Sequence, residues 1–415
     1  MTRGGGAQGG RERHARWVQL MPVQLRGDTA GGFSVIELVV ATGLVVTLAA
    51  VSFFLLSPAH GMFATQSEVI DMQQRLRVTH SALHDELASA GAGTTRGRAG
   101  PLHLALPPVL PYRLGPRAGD PPGTVVANTV TVISVPVGAA QATIDQPMPA
   151  RTGAIVVRLE PGCPLGDLAC GFAADMDVLL HDGTAAFDLF TVVGVTASTL
   201  TLQHLFADWA KVYPPGSALV QIQTRTYFWR DAQTLRPPQL VRYGGGSRAD
   251  VPVVDHVVGV GFDYFGDPAP PTMLRPLSEP KGPWTTYGPP PPPDLATAPV
   301  VPASSCLFLA DGTPFASPRL PSLGTTPGAL VRLTPAQLGD GPFCPDDDAP
   351  ARFDADLLRI RSVGVTLRVQ AAAAALRGPA GALFSRGGSA RAGASWAPDI
   401  EVRFRVTPRS LVLGY

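Results

Sequence analysis

Charge is scarce in this chain, and its two signs nearly cancel. Of 415 residues, 33 are Lys or Arg and 32 are Asp or Glu, which leaves a formal net charge of +1 at pH 7. Proteins that bind nucleic acid over a wide surface carry a basic field that this composition lacks. We therefore do not expect nucleic acid as the main partner. The length suffices for one large domain or two ordinary ones.

Catalytic motifs are also missing. The sequence contains no GxSxG elbow, no HExxH pair, no P-loop and no complete GxGxxG. His80 and His84 stand at a spacing that can ligate metal, but without the HExxH pattern a packing role is the simpler interpretation. His181 and Asp182 adjoin a turn without an identified serine or cysteine partner. We expect no enzymatic activity and no catalytic residues.

Cysteines are few, and none forms a Cys-x-x-Cys pair of the zinc or thioredoxin type. The four fall into two local groups, Cys163 with Cys170 and Cys306 with Cys344. An even number fits two disulfides if the chain is exported to an oxidising compartment. We expect no metal and no cofactor. Calcium is conceivable at Asp346–Asp348, or at Asp175 with Asp177, although a solvated acidic loop explains these residues more simply.

One long apolar run is present near the N-terminus. Residues 38–56 form 19 consecutive positions without a charge, which is enough for a helix to cross the hydrocarbon core of a membrane. The preceding residues 1–32 are net basic, so the positive-inside rule leaves the N-terminus in the cytoplasm and exports the rest. Two ordinary interpretations are a signal peptide cleaved near Ser57-Pro58-Ala59 and an uncleaved signal anchor.

A third interpretation depends on the residues at the start of this run. The segment Gly31-Gly32-Phe33-Ser34-Val35-Ile36-Glu37-Leu38-Val39 resembles the processing motif of type IV prepilins. The resemblance implies that a prepilin peptidase cuts between Gly32 and Phe33, methylates the new Phe33 amine and leaves the hydrophobic helix in place. It also implies that Glu37 meets the N-terminal amine of a neighbouring subunit during assembly. A carboxylate at this position is costly unless paired. Met21 is an alternative start that shortens the leader.

A second helix is predicted after the apolar run. Pro58 and Gly61 are expected to interrupt or bend the rod, and the apolar residues that follow recur at helical spacing up to a stop at Gly91: Val69, Met72, Leu76, Leu83 and Leu87. We expect this stripe to pack on the sheet of the globular domain. The stretch Gln73–Gly93 resembles the corresponding helix end of PilW-type minor pilins and of the related J-type minor pseudopilins of type II secretion.

The remaining sequence predicts a β-rich domain with long irregular connections, since Gly and Pro number 45 and 43. Strands are predicted at 129–135, 154–159, 177–180, 190–195, 199–202, 219–229, 239–243, 257–264, 360–369 and 400–406. The run Ala371–Ala375 favours a short helix or a flexible connection. Five consecutive prolines, Pro289–Pro293, indicate polyproline structure inside an irregular insertion. The two last strands are expected to complete the sheet begun near residue 129.

The predicted fold class is α+β: a long N-terminal transmembrane and amphipathic helix packed on an antiparallel β-rich domain, as in pilins. The expected organisation is a cleaved leader (1–32), a transmembrane helix (33–57), a periplasmic helix (58–91), a β-rich domain (92–265), a proline-rich insertion (266–351) and C-terminal strands (352–415).

The resemblance implies a minor pilin of a type IV pilus in the bacterial inner membrane. Its expected partners are prepilin peptidase, other pilin or pseudopilin subunits and the inner-membrane assembly platform. The alternatives are a minor pseudopilin of a type II secretion system and a membrane-anchored extracytoplasmic binding domain or enzyme.

Overall fold

The computed structural model describes residues 32–94, 106–115, 120–121, 123–148, 153–158, 163–181, 187–205, 212–234, 236–246, 248–269, 322–324, 326, 328–341, 343–344, 352–391 and 396–412. One long N-terminal helix and antiparallel β-sheets dominate this part of the chain, so the α+β class is confirmed. The chain divides into two compact units, Met1–His60 and Gly61–Tyr415.

Helix α1 runs without a break from Val35 to Ala88. The predicted interruption at Pro58 and Gly61 is therefore wrong, because both residues lie inside the helix. Proline removes one backbone hydrogen bond and can bend a helix, yet the neighbouring turns can keep their own bonds and the helix then continues. The segment Val35–Phe54 has a mean hydropathy of 2.2, so by length and composition it could span a membrane.

The second half of α1 contributes one face to the core of the larger unit. Met72, Leu76, Leu83 and Leu87 are buried, and Val69 packs beside them. Their spacing of three, four and seven residues returns to the same side of a helix, which is why the sequence pattern predicted this face. After the helix ends, Gly91 takes a φ of +70° and its N–H donates to Ile133 O at 2.8 Å. Glycine adopts this left-handed conformation without steric cost.

Ten strands form the larger sheet: β1 (Val109–Leu110), β2 (Thr129–Ser134), β3 (Gln141–Ile144), β4 (Gly153–Arg158), β5 (Asp177–His181), β6 (Phe187–Thr196), β7 (Thr199–His204), β8 (Ala218–Arg230), β9 (Gln239–Tyr243) and β10 (Val251–Asp255). The 13-residue strand β8 organises them. Its later half pairs with β2 and β9, whereas its first residues pair with β3 on one side and β5 on the other.

The pairings around the first half of β8 close on themselves. Strand β8 pairs with β3, β3 with β4, and β4 with β7. Strand β7 in turn pairs with β6, β6 with β5, and β5 again with β8, and every pairing is antiparallel. These six strands therefore form a closed barrel, which leaves no unpaired edge around the ring. Its interior is a separate hydrophobic core that includes Ile155, Val178, Phe190, Leu202 and Leu219.

A second sheet contains four strands in the order β12, β11, β15, β16, with bounds β11 (Val257–Gly266), β12 (Val331–Leu333), β15 (Ile360–Val369) and β16 (Ile400–Val406). The expectation that the last two strands complete the sheet begun near residue 129 is therefore wrong. The chain changes sheets at His256, the single residue between β10 and β11, which has a φ of +60°.

Several short elements lie in or near the region expected to be irregular. Strand β12 and the short strand β13 (Phe343–Cys344) fall inside residues 266–351, and β13 pairs with β14 (Phe353–Asp354). A 3-10 turn covers Ala355–Arg359, and another, Ala374–Leu376, falls at the end of the alanine run. The last described element is the one-turn helix α2 (Arg409–Val412). The polyproline run lies outside the described residues.

A partly buried ion pair connects α1 to strand β8. The Glu86 carboxylate accepts from Arg225 Nη1 at 2.7 Å and from the Tyr227 hydroxyl at 3.4 Å, and the Glu86 side chain is only 6% exposed. A buried carboxylate needs such partners because desolvation penalises its charge. The pair therefore fixes the angular position of this helix turn against the sheet.

Replacing Glu86 with alanine should lower the free energy of unfolding by about 2 kcal/mol, because the Tyr227 hydroxyl loses the acceptor of its proton while Arg225 can still reach water. Denaturant unfolding of the detergent-solubilised chain measures this. Asp85→Ala is the matched control: that side chain is 78% exposed, and we expect a change within about 0.5 kcal/mol. Equal effects of the two substitutions would contradict the assigned role of Glu86.

Candidate functional site

The first described residues precede α1 and are open to solvent. Phe33 is 90% exposed, and Gly32 is also exposed. A Cβ added at Gly32 would meet nothing within 4 Å, and its φ lies outside the left-handed region. Neither space nor backbone conformation therefore requires glycine here.

Helix α1 begins with a capping box. The Ile36 N–H donates to Ser34 Oγ at 3.2 Å, and the Ser34 N–H donates to Glu37 Oε2 at 3.1 Å. The serine and the glutamate thus satisfy backbone donors that have no partner inside the helix. The spacing Ser-x-x-Glu signals this motif in the sequence, but the interpretation of Glu37 as an assembly residue overlooked it. Glu37 therefore has a local role within its own chain.

The apolar side chains of this segment have no packing partner in the described chain. From Phe33 to Phe54, every large apolar side chain is at least half exposed, with values from 51% at Val51 to 90% at Phe33. A surface of this kind is stable only in lipid or against other apolar surfaces. Glu37 is the one acidic or basic residue in Val35–Phe54. Its carboxylate lies in the first turn, where the helix dipole favours negative charge.

A buried polar network lies beside the barrel core. His204 Nε2 is 3.1 Å from Asp188 Oδ1, and the Tyr213 hydroxyl donates to Asp188 Oδ2 at 2.8 Å. The His204 and Asp188 side chains are at most 5% exposed, and Tyr213 is fully buried. A catalytic Asp–His pair must reach a substrate, whereas these groups are enclosed. The network therefore provides hydrogen-bond partners for polar groups in the protein interior. No sequence motif indicated it.

The other histidines singled out in the sequence also have structural surroundings. His80 lies 4.3 Å from the Phe404 ring and 5.8 Å from the His84 ring, measured between ring centroids. The first contact packs α1 against β16. His181 is buried at the end of β5, whereas Asp182 lies outside the described residues. Their surroundings therefore give no support to a metal or hydrolytic site.

A disulfide joins Cys163 to Cys170, with the two Cα atoms 4.5 Å apart. Cys344 is also disulfide-bonded, and Cys306 lies outside the described residues. The first bridge closes a short connection between β4 and β5, at a loop where Leu165 is fully exposed. Disulfides of this kind persist in oxidising compartments.

Three carboxylates, from Asp340, Asp354 and Asp356, come within 4.8 Å of one another. Burial raises the pKa of Asp354 to about 7 and that of Asp356 to about 6. Such oxygens could ligate a hard cation. In this structure they have internal partners: Asp354 accepts from the Gly341 and Asp356 N–H groups, and Asp356 pairs with Arg359.

The acidic groups suggested by the sequence as calcium ligands lie elsewhere. Asp346–Asp348 fall outside the described residues. Asp175 is exposed, whereas Asp177 is buried and accepts from Arg248, Thr191 and Thr224. Burial raises the pKa of Asp177 while Arg248 lowers it. The two carboxylates therefore do not form one open site.

Comparison of the chain with protein-family models, with curated proteins and with solved structures gives no match. The fold and the N-terminal segment define an α+β protein whose apolar N-terminal helix could span a membrane.

Proposed function

We propose that this chain is a minor pilin of the PilW type, processed by a prepilin peptidase and incorporated into, or priming, a type IV pilus. The observation that carries the proposal is Gly32. The fold imposes no need for glycine at this position, yet glycine stands directly before the exposed Phe33 and a capped apolar helix. A peptidase that reads Gly32 and Phe33 supplies the missing reason.

The helix supports the same proposal through its surface. Its apolar side chains are exposed from Phe33 to Phe54, so removal of residues 1–32 would leave a mature subunit that begins with a helix suited to lipid and then to packing against other subunits. Glu37 would stand four residues from the new Phe33 amine. A matched charge pair between neighbouring helices in low dielectric then sets their axial register.

Processing of the full chain tests the proposal directly. In cells that contain a prepilin peptidase, we expect intact-mass measurement to show loss of residues 1–32 and gain of one methyl group on Phe33. In cells without the peptidase the leader should remain. Gly32→Val should block cleavage without changing the fold. Gly43→Val is the matched control, because a Cβ at Gly43 also meets nothing within 4 Å.

Two results would overturn the assignment. An unprocessed chain in the presence of an active peptidase would identify a plain membrane anchor. A chain cut after Ala59 would identify a secreted protein with an ordinary signal peptide. Equal loss of processing in Gly32→Val and Gly43→Val would show that the block arises from the bulk of valine.

A further inference from the structure

A polar cavity of about 360 Å³ lies beside strand β8 and the turn that follows β9. Three arginines line it together: Arg225, Arg242 and Arg248. Pockets for drug-sized ligands start at about 300 Å³, so this cavity suits a small chemical group. Arginine presents a planar fork of donors that matches the oxygen atoms of carboxylate and phosphate.

Two of the three guanidinium groups are paired with carboxylates. Arg225 Nη1 lies 2.7 Å from Glu86 Oε2, and Arg248 Nη1 lies 2.8 Å from Asp177 Oδ2. Arg242 makes no ion pair with any described residue. Its partner is the Tyr227 hydroxyl, which carries no charge at neutral pH. The cavity wall therefore keeps one positive charge in excess, and that charge is exposed to solvent.

Arg248 is held in place before any ligand arrives. Its partner Asp177 is 2% exposed and also accepts from Thr191 and Thr224. The turn at Gly245 comes so close that a Cβ there would lie 2.4 Å from Asp177 Oδ2. A donor that is already ordered loses little conformational entropy when it binds. The glycine in this turn thus permits a fixed arginine at the cavity wall.

An amide donor completes the wall. Gln221 lines the cavity, and its Oε1 accepts from the Ala140 N–H at 3.1 Å. Because the oxygen of this side chain is engaged, the polar group that remains to it is the NH₂ group, which is a donor. The Asp177 carboxylate also lines the cavity but is paired with Arg248, so the three guanidinium groups leave the wall with an excess of N–H donors, which is the arrangement that an anion requires.

We propose that this cavity binds an oxyanion group, either phosphate or carboxylate, between Arg242, Arg225 and Arg248. Arg242 supplies the uncompensated charge, and the other two supply additional N–H donors from positions already fixed by Glu86 and Asp177. The site is independent of the N-terminal segment and does not rest on the function proposed above.

Calorimetric titration of the detergent-solubilised full chain with sodium phosphate, and separately with sodium acetate, tests the site at constant ionic strength with chloride as the balancing anion. We expect saturable binding of at least one anion. The anion with the lower Kd shows whether the site prefers a phosphate or a carboxylate group. Arg242→Gln should raise the Kd at least tenfold, and Arg242→Lys should give a smaller increase because it keeps the charge but loses the fork.

Arg403→Gln is the matched control, since its side chain is 76% exposed on the other sheet, and we expect its Kd to equal that of the wild type. Thermal melting confirms that each variant is folded. The proposal is overturned if neither anion binds the wild type saturably, or if Arg242→Gln and Arg403→Gln bind with the same Kd.

Discussion

Replacing Glu37 with glutamine is expected to reduce incorporation of the protein into filaments at least tenfold, while membrane insertion and removal of the leader continue. Glutamine keeps the length and the acceptor oxygen of glutamate, so it can still accept from the Ser34 N–H as Glu37 does now at 3.1 Å. Only the charge is lost. A neutral side chain cannot balance the amine of a neighbouring subunit in a low-dielectric bundle.

The capping box makes a second variant necessary. Ser34→Ala removes the acceptor of the Ile36 N–H and should cost the helix start about 1 kcal/mol, but it leaves the Glu37 charge in place. We therefore expect Ser34→Ala to enter filaments nearly as well as the wild type. Glu37→Ala removes both the charge and the acceptor of the Ser34 N–H, and should fail like Glu37→Gln.

Immunoblots of sheared filaments and of membranes, from cells that express each variant at equal level, measure the distribution. The assembly role of the charge fails if Glu37→Gln reaches the filament fraction at the wild-type level. If Ser34→Ala is excluded as strongly as Glu37→Ala, Glu37 acts through the helix start instead. Intact mass of the membrane fraction separates either result from a defect in processing.

Local patterns predicted the elements well because their causes are local. Strands β9, β15 and β16 begin and end where their β-branched and aromatic runs do, and the buried face of α1 follows helical spacing at Met72 and Leu76. Pro58 misled the prediction because the sequence shows the missing N–H but not whether neighbouring turns hold.

The arrangement of the strands could not be predicted in the same way. The barrel closes because β8 pairs with β3 and β5 at the same residues, Ala218–Val220, and no alternation within one strand encodes its partners. His256 is a second example, since a single residue with positive φ sends β11 into another sheet. Residues other than glycine rarely adopt this conformation, and although histidine does so more often than most, one histidine is too weak a signal to mark the turn.

The candidate sites also differ in whether their residues are close in sequence or are brought together only by folding. Gly32, Phe33 and Glu37 lie within six residues and were found as a motif. The arginines of the cavity come from β8, β9 and the turn after it, and Asp188 meets His204 and Tyr213 only through folding. The pair Asp356 and Arg359 gave a local signal, an i,i+3 spacing behind the N-cap Asp354, which was overlooked.

Replacing Arg359 with methionine is expected to lower the free energy of unfolding by about 3–5 kcal/mol, the cost of leaving one charge of a buried pair unmatched. Arg359 is fully buried. Its guanidinium pairs with Asp356, and its Nη1 donates to Pro268 O at 2.9 Å. The Leu323 N–H donates to the same oxygen, so Arg359 also supports the point where the chain leaves and re-enters the sheet. Arg332→Met, at a side chain 67% exposed, should change stability by no more than about 0.5 kcal/mol.

The defect should depend on pH with a definite sign. Burial already raises the pKa of Asp356 to about 6, with Arg359 acting in the opposite direction. Without Arg359 this pKa rises further above its unfolded value, so the folded state holds the proton more tightly and stability increases as pH falls. The difference between Arg359→Met and wild type should therefore be smaller at pH 5 than at pH 8.

Adding Asp356→Asn removes the unmatched charge and should restore part of the stability at pH 8. Denaturant unfolding at the two pH values measures both effects. The ion pair is not the cause if Arg359→Met loses the same free energy of unfolding at pH 5 and pH 8 and Asp356→Asn restores none of it. The lost stability then comes from packing and from the Pro268 contact.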